Sequence, residues 1–158
     1  MTRAYHRTGN LEAELEALDR MRQLHPEDPR TKDVEFRVLG ALGRIEELAV
    51  RIPEELQRSD GLSLFRNGIP FRGFDELRAH GYPVAATNLA DSTLKWFERR
   101  ASDWTPNPGQ SFVYAKLLNQ AGRWVEAQAI LEEVLTAVPF PSPQQNNATM
   151  QLTYALAS

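Results

Sequence analysis

The sequence predicts an all-α protein built from pairs of helices. Three observations predict this class: glycines recur at distances of 34, 38 and 41 residues, apolar residues between them follow a helical period, and prolines stand where helices should end. We expect each of these glycines to mark the turn inside one helix pair. They are Gly9, Gly43, Gly81 and Gly122.

The segments that follow the first and the last of these glycines have the clearest helical pattern. Between residues 11 and 24, and again between residues 124 and 138, apolar residues recur every three or four positions. This period places them on one face of a helix, which a core can cover. Pro26 and Pro139 each stand 17 residues after the preceding glycine, at a point where proline ends a helix.

Acidic residues cluster at the start of the first of these helices. They are Glu12, Glu14 and Glu16. Carboxylates near a helix N-terminus interact favourably with the positive end of the helix dipole. We therefore expect these three residues to stabilise the start of the helix.

Apolar stripes also precede three of the glycines. They cover residues 34–42, 74–78 and 112–118. A glycine that follows a helix supplies the positive φ that ends it and turns the chain into the next helix. The repeating unit is therefore a helix, a tight turn, a second helix and a loop that is marked by proline.

The last of these units resembles a tetratricopeptide repeat. Residues 115–139 combine the turn glycine Gly122, the small residue Ala127 five positions later, an apolar helical stripe and a final proline. Residues 9–29 are similar to the second helix of another copy, and the first glycine spacing of 34 residues equals the period of that family. The resemblance implies an α-α superhelix, or solenoid, of about four helix pairs.

The other copies depart from the family pattern at two positions. Five residues after the glycine, the first copy has Glu14 and the second has Leu48, whereas the third has the expected small residue, Ala86. The position of the final proline holds Asp60 in the second copy and Glu98 in the third.

The predicted organisation is a single repeat domain over residues 1–158. Its repeats lie at about 1–28, 29–60, 61–105 and 106–142, with a final helix at 143–158. The longer second and third glycine spacings require longer loops between pairs. The chain is either the whole array or a fragment of a longer one.

One segment fits the helical pattern less well. Asn67 and Gly68 form an Asn-Gly pair between apolar residues, which is typical of a β-hairpin turn. Pro70 disfavours a second strand there, because proline cannot donate a ladder hydrogen bond. We therefore expect a turn at Asn67–Gly68 and a helix that starts near Pro70. A small hairpin insertion over residues 63–71 is the alternative.

Composition excludes several classes of protein. The net charge of -3 lacks the basic excess of a nucleic-acid binder, and no run of about 18 apolar residues is present to insert into a membrane. The absence of cysteine excludes disulfides, thiolate metal sites and a cysteine nucleophile. The N-terminus has no secretory signal, so we expect a cytoplasmic protein. A periplasmic location is the alternative if the chain is a fragment of a longer exported protein.

The sequence offers no motif for catalysis or for metal binding. The three histidines, His6, His25 and His80, lack the spacing of a zinc-binding helix. Glu76 and His80 can share a helix face, but two ligands are too few for zinc. No nucleophile elbow, Walker loop or dinucleotide-binding fingerprint is present. We therefore expect no metal, no cofactor and no enzymatic activity.

The resemblance to tetratricopeptide repeats implies a binding surface. In such a superhelix the first helix of each pair lines an extended concave groove. There, arginine and lysine side chains can bind the carboxylates of a peptide, and phenylalanines can take its apolar side chains. The residues predicted to contact a partner are Arg30, Arg37, Phe71, Arg78, Phe112, Lys116 and Asn119, with Asp33 and Asp75 beside them and Arg7 from the first copy.

The sequence therefore predicts a non-enzymatic module that binds a protein or peptide in its groove. Acidic groups or a C-terminal carboxylate are the expected features of the partner. Three alternatives remain at this point: a charged face that is only solvated, a helical scaffold or regulatory domain of a larger enzyme or assembly machine, and a structural subunit that associates with itself.

Overall fold

The regular secondary structure of the residues that the structure describes is helical. The computed structural model describes His6, residues 8–58, Phe65, residues 67–99 and residues 108–137. The regular structure of these residues consists of seven helices, with no β-strand among them, and this confirms the all-α prediction. The helices are α1 (Leu11–Leu24), α2 (Pro29–Ala41), α3 (Ile45–Gln57), α4 (Ile69–Ala79), α5 (Pro83–Glu98), α6 (Pro108–Gln120) and α7 (Trp124–Ala137).

The chain divides into two compact units. The N-terminal unit is Met1–Ala86 and the C-terminal unit is Thr87–Ser158, so that the boundary falls inside α5. None of the described helices has the length and the apolar character needed to cross a lipid bilayer. The predicted final helix at 143–158 lies outside the described residues.

The predicted turn glycines all adopt positive φ. The angles are 69° at Gly9, 65° at Gly43, 92° at Gly81 and 79° at Gly122. The last three turns close with the same hydrogen bond, in which the N–H of the residue after the glycine donates to the carbonyl five residues earlier. This is the Schellman pattern of a helix C-terminus, and it requires a left-handed residue at the glycine position.

Helix α4 begins where the sequence analysis expects it. Gly68, at φ 76°, precedes the first helical residue, Ile69, and Pro70 occupies the first turn. A proline is tolerated there because the first N–H groups of a helix have no partner within the helix. The turn at Asn67–Gly68 followed by a helix is therefore confirmed. Residues 63, 64 and 66 of the alternative hairpin lie outside the described part.

Helix α2 is the centre of the N-terminal unit. It packs against α1, α3 and α4, and most extensively against α4. All its residues from Val34 to Ala41 are buried. One apolar cluster joins Leu18 of α1 to Val34 and Val38 of α2. The surface that α2 leaves accessible therefore lies near its start, where Arg30 is exposed.

Two glycines allow α2 and α4 to approach closely. A Cβ atom on Gly40 of α2 would lie 2.6 Å from the carbonyl oxygen of Gly73 in α4. A Cβ atom on Gly73 would lie 3.2 Å from a methyl carbon of Leu48. The crossing therefore depends on the absence of a side chain at Gly40.

The C-terminal unit has its own apolar cluster. Helix α6 packs against α7, and Ala115 of α6 lies buried with Leu131 and Val134 of α7. Leu131 and Val134, with Ile130 and Leu135 packed beside them, thus belong to the face of α7 that the helical period predicts to be buried.

Candidate functional site

The position five residues after each turn glycine is completely buried in all four copies. It holds Glu14, Leu48, Ala86 and Ala127, and each is 0% exposed. An ionised carboxylate in such a place is costly unless charged and hydrogen-bonding partners compensate it. Glu14 does stand in the first turn of α1, as predicted, but its contacts with other segments hold it there.

Arg37 of α2 is the counter-ion of Glu14. Its Nε donates to Glu14 Oε1 at 3.1 Å, and its Nη2 donates to the same oxygen. Arg37 is itself only 8% exposed. It was predicted to contact a partner in the groove, but burial leaves its guanidinium engaged inside the N-terminal unit.

His6 lies between two carboxylates from different helices. Its Nδ1 is 3.0 Å from Glu14 Oε2 on α1, and its Nε2 is 3.0 Å from Glu76 Oε1 on α4. His80 Nε2 approaches the other oxygen of Glu76 at 3.5 Å. We call His6, Glu14, Arg37 and Glu76 the His6 cluster.

The glycine in α2 makes this cluster possible. The Cβ of Glu76 lies only 2.8 Å from the place that a Cβ of Gly40 would occupy. Because Gly40 has no side chain, Glu76 can stand against α2 and reach His6, which also contacts α1.

A strip of charges continues from the cluster along the exposed faces of α2 and α4. Asp33 Oδ1 accepts a hydrogen bond from Arg72 Nε at 3.3 Å, and Asp33 Oδ2 is 3.9 Å from Arg37 Nη1. Arg30 and Asp75 are exposed on the same two helices. We call Arg30, Asp33, Arg72 and Asp75 the charged strip.

The remaining residues predicted on α4 have different surroundings. Phe71 is only 1% exposed, and its ring meets those of Phe65 and Phe74 edge to face, at centroid distances of 5.7 and 6.0 Å. It is therefore a core residue. Arg78 is half-buried, and this burial lowers the pKa of its guanidinium, although the charge of Asp75 opposes the change.

The residues predicted on α6 belong to the C-terminal unit. Phe112 is partly buried against Ala115 and its neighbours in the apolar cluster. Lys116 and Asn119 remain partly exposed. Arg7, which was expected to join the groove from the first copy, lies outside the described residues.

A second network of charges, which the sequence analysis missed, joins α1, α2 and α3. Glu35 of α2 is buried. Its Oε1 accepts a hydrogen bond from Arg22 Nη2 at 2.8 Å and lies 3.2 Å from Arg51 Nε. Glu55 of α3 is also buried and pairs with Lys32. These residues line an open groove of about 430 Å³. The cations and carboxylates of its wall neutralise one another, so it is not a strong site for either sign of charge.

The C-terminal unit has a charge cluster around Arg123. This residue donates to both oxygens of Glu126, at 2.7 and 2.6 Å, and to Glu98 at the end of α5, at 2.6 Å. These bonds raise the pKa of Arg123 and lower that of Glu126. The hydroxyl of Tyr114 donates to Glu98 at 3.3 Å. Burial, followed by the charge of Glu98, raises the pKa of Tyr114, and Arg123 opposes this rise.

Among the residues that the structure describes, no group of three or more histidine, aspartate and glutamate side chains is arranged to hold a metal ion.

A comparison of the chain with protein-family models, with curated proteins and with solved structures finds no match.

Proposed function

We propose that the chain is a non-enzymatic interaction module, a superhelix of tetratricopeptide-like helix pairs that binds a protein or peptide. Two repeated features support this proposal. Each turn glycine has positive φ, and the residue five positions later is fully buried in all four copies. Equivalent residues with equivalent burial are what stacked repeats of one supersecondary unit require.

The charged strip is the observation that carries the binding proposal. It lies on α2 and α4, which are the first helices of two successive pairs, and the close crossing at Gly40 and Gly73 holds these helices together. Arg72 is 55% exposed, and its Nε donates to Asp33 Oδ1 at 3.3 Å. We expect its guanidinium and that of Arg30, which is also exposed, to donate hydrogen bonds to a partner's carboxylates.

The partner that fits is an extended acidic segment or a free C-terminal carboxylate. A guanidinium binds a carboxylate through two parallel hydrogen bonds, which gives both affinity and orientation. Lys116 and Asn119, on α6 of the C-terminal unit, are partly exposed and stay predicted partner contacts. Arg37 and Phe71 are left out of the proposed surface because both are buried.

The test uses a library of peptides that carry either a free or an amidated C-terminus. We expect the chain to select acidic peptides or those with a free carboxylate, and Arg30→Glu with Arg72→Glu to weaken binding about tenfold or more. Arg20→Glu is the matched control, because Arg20 is an exposed cation on α1 that pairs with Glu16 of the same helix. Equal binding by the strip variant and the control, or selection of basic peptides, would refute the proposal.

A further inference from the structure

The contacts of His6 require a particular protonation state. A carboxylate without its proton only accepts hydrogen bonds, and a neutral imidazole donates from one nitrogen only. Both ring nitrogens of His6 lie 3.0 Å from a carboxylate oxygen. His6 can therefore hold both carboxylates at once only when both of its nitrogens carry a proton.

The groups around His6 decide which contact is lost when the ring gives up a proton. From α2, Arg37 already donates twice to Glu14, and Asp33 Oδ2 lies 3.9 Å from Nη1 of Arg37. From α4, Glu76 has His80 as a second neighbour at 3.5 Å. Glu14 is fully buried, so losing a donor costs it more than it costs Glu76, whose side chain is 18% exposed and can be hydrated.

We propose that His6 is a proton-dependent clasp between α1 and α4. When the ring is protonated, it bridges Glu14 and Glu76 across the position of Gly40; when it is neutral, it stays with Glu14 and releases Glu76. The clasp is a property of the N-terminal unit and does not depend on the proposed peptide binding.

The sign of the pH dependence follows from the geometry. The protonated ring makes one more hydrogen bond in the folded chain than the neutral ring does. The contribution of the clasp to stability is therefore present at acidic pH, where the ring is protonated, and is lost at higher pH once the ring has given up its proton.

A double-mutant cycle between His6→Gln and Glu76→Gln in the full chain tests the clasp. We expect the coupling between the two sites to be about fivefold in the unfolding equilibrium constant near pH 5.5 and to fall below about twofold near pH 8. A coupling that is the same at the two pH values, or below twofold at both, would overturn the proposal.

The same cycle between His80→Gln and Glu76→Gln is the matched control. His80 is more exposed than His6 and stands 3.5 Å from Glu76, so its coupling should stay below about twofold at both pH values. If the pH-dependent coupling belongs to His80 and not to His6, the clasp is assigned to the wrong residue.

The wild-type chain provides a second measurement that needs no variant. Ring N–H protons that are held in hydrogen bonds exchange slowly with water, so proton NMR near pH 5.5 should show two protected ring signals from His6. Near pH 8 only one should remain. The absence of any protected ring signal at the lower pH would contradict the clasp, even if a variant failed to fold.

Discussion

At the scale of single residues, Glu14 occupies a place that its copies fill with Leu48, Ala86 and Ala127. All four are completely buried. The first copy therefore contains an ion pair where the others contain apolar groups, and the guanidinium of Arg37 compensates the carboxylate. The only sign of this in the sequence is that a glutamate stands where the repeat expects a small residue.

Arg37→Met should be strongly destabilising, since it leaves the carboxylate of Glu14 buried without its main partner. Removing one member of a buried ion pair costs about 3–5 kcal/mol. Denaturant unfolding at neutral pH measures the loss.

The double variant Glu14→Leu with Arg37→Met should recover most of this stability. It gives the first copy the residue that the second copy already has at the same position, Leu48. Replacing a buried ion pair by apolar residues of similar volume is often neutral or stabilising. A double variant that is no more stable than Arg37→Met would show that the pair is not the cause of the loss.

At the scale of helices, α2 packs against α1, α3 and α4. This packing explains why only one of the two arginines predicted to contact a partner from α2 is exposed. A helical period tells which residues share a face, but not how many faces neighbours cover. Arg30 and Arg37 lie on α2 within two turns of each other, yet the first is exposed and the second is buried. The helical period of α4 likewise did not show that neighbours cover the face with Phe71, which lies in the core.

Gly40→Ala tests whether the crossing of α2 and α4 depends on the missing side chain. In an ordinary helix, replacing glycine by alanine stabilises the fold by roughly 0.5–1 kcal/mol. Here the new methyl group would lie 2.6 Å from a backbone oxygen of α4, which cannot rotate away. We expect destabilisation by about 1–3 kcal/mol instead. Thermal unfolding determines the sign, and a stabilised variant would show that the two helices can separate at no cost.

At the scale of the whole molecule, the sequence predicts the fold class but not the ion pairs between helices. The spacing alone predicts the turns at Gly43, Gly81 and Gly122, because residues other than glycine rarely adopt a positive φ. The His6 cluster joins residues 6, 14, 37 and 76, whose pairing no local pattern reveals. Helix periods are local, whereas ion pairs between helices depend on how the helices pack.

The stability of the molecule in alkaline solution should depend on Tyr114 in the C-terminal unit. Burial and the charge of Glu98 raise the pKa of its hydroxyl in the folded chain. The folded state then holds this proton more tightly than the unfolded state, where tyrosine titrates near pH 10. The contribution of Tyr114 is therefore complete below about pH 10 and is lost as the pH rises through the folded-state pKa.

Tyr114→Phe should flatten this part of the stability profile, because the variant has no hydroxyl proton to lose. The free energy of unfolding, measured between about pH 9 and pH 11, should fall less steeply in the variant than in the wild type. Tyr82→Phe is the matched control, since it removes a hydroxyl from the N-terminal unit and leaves the contact between Tyr114 and Glu98 in place. If both variants follow the wild-type slope, the alkaline loss of stability has its origin in a group other than Tyr114.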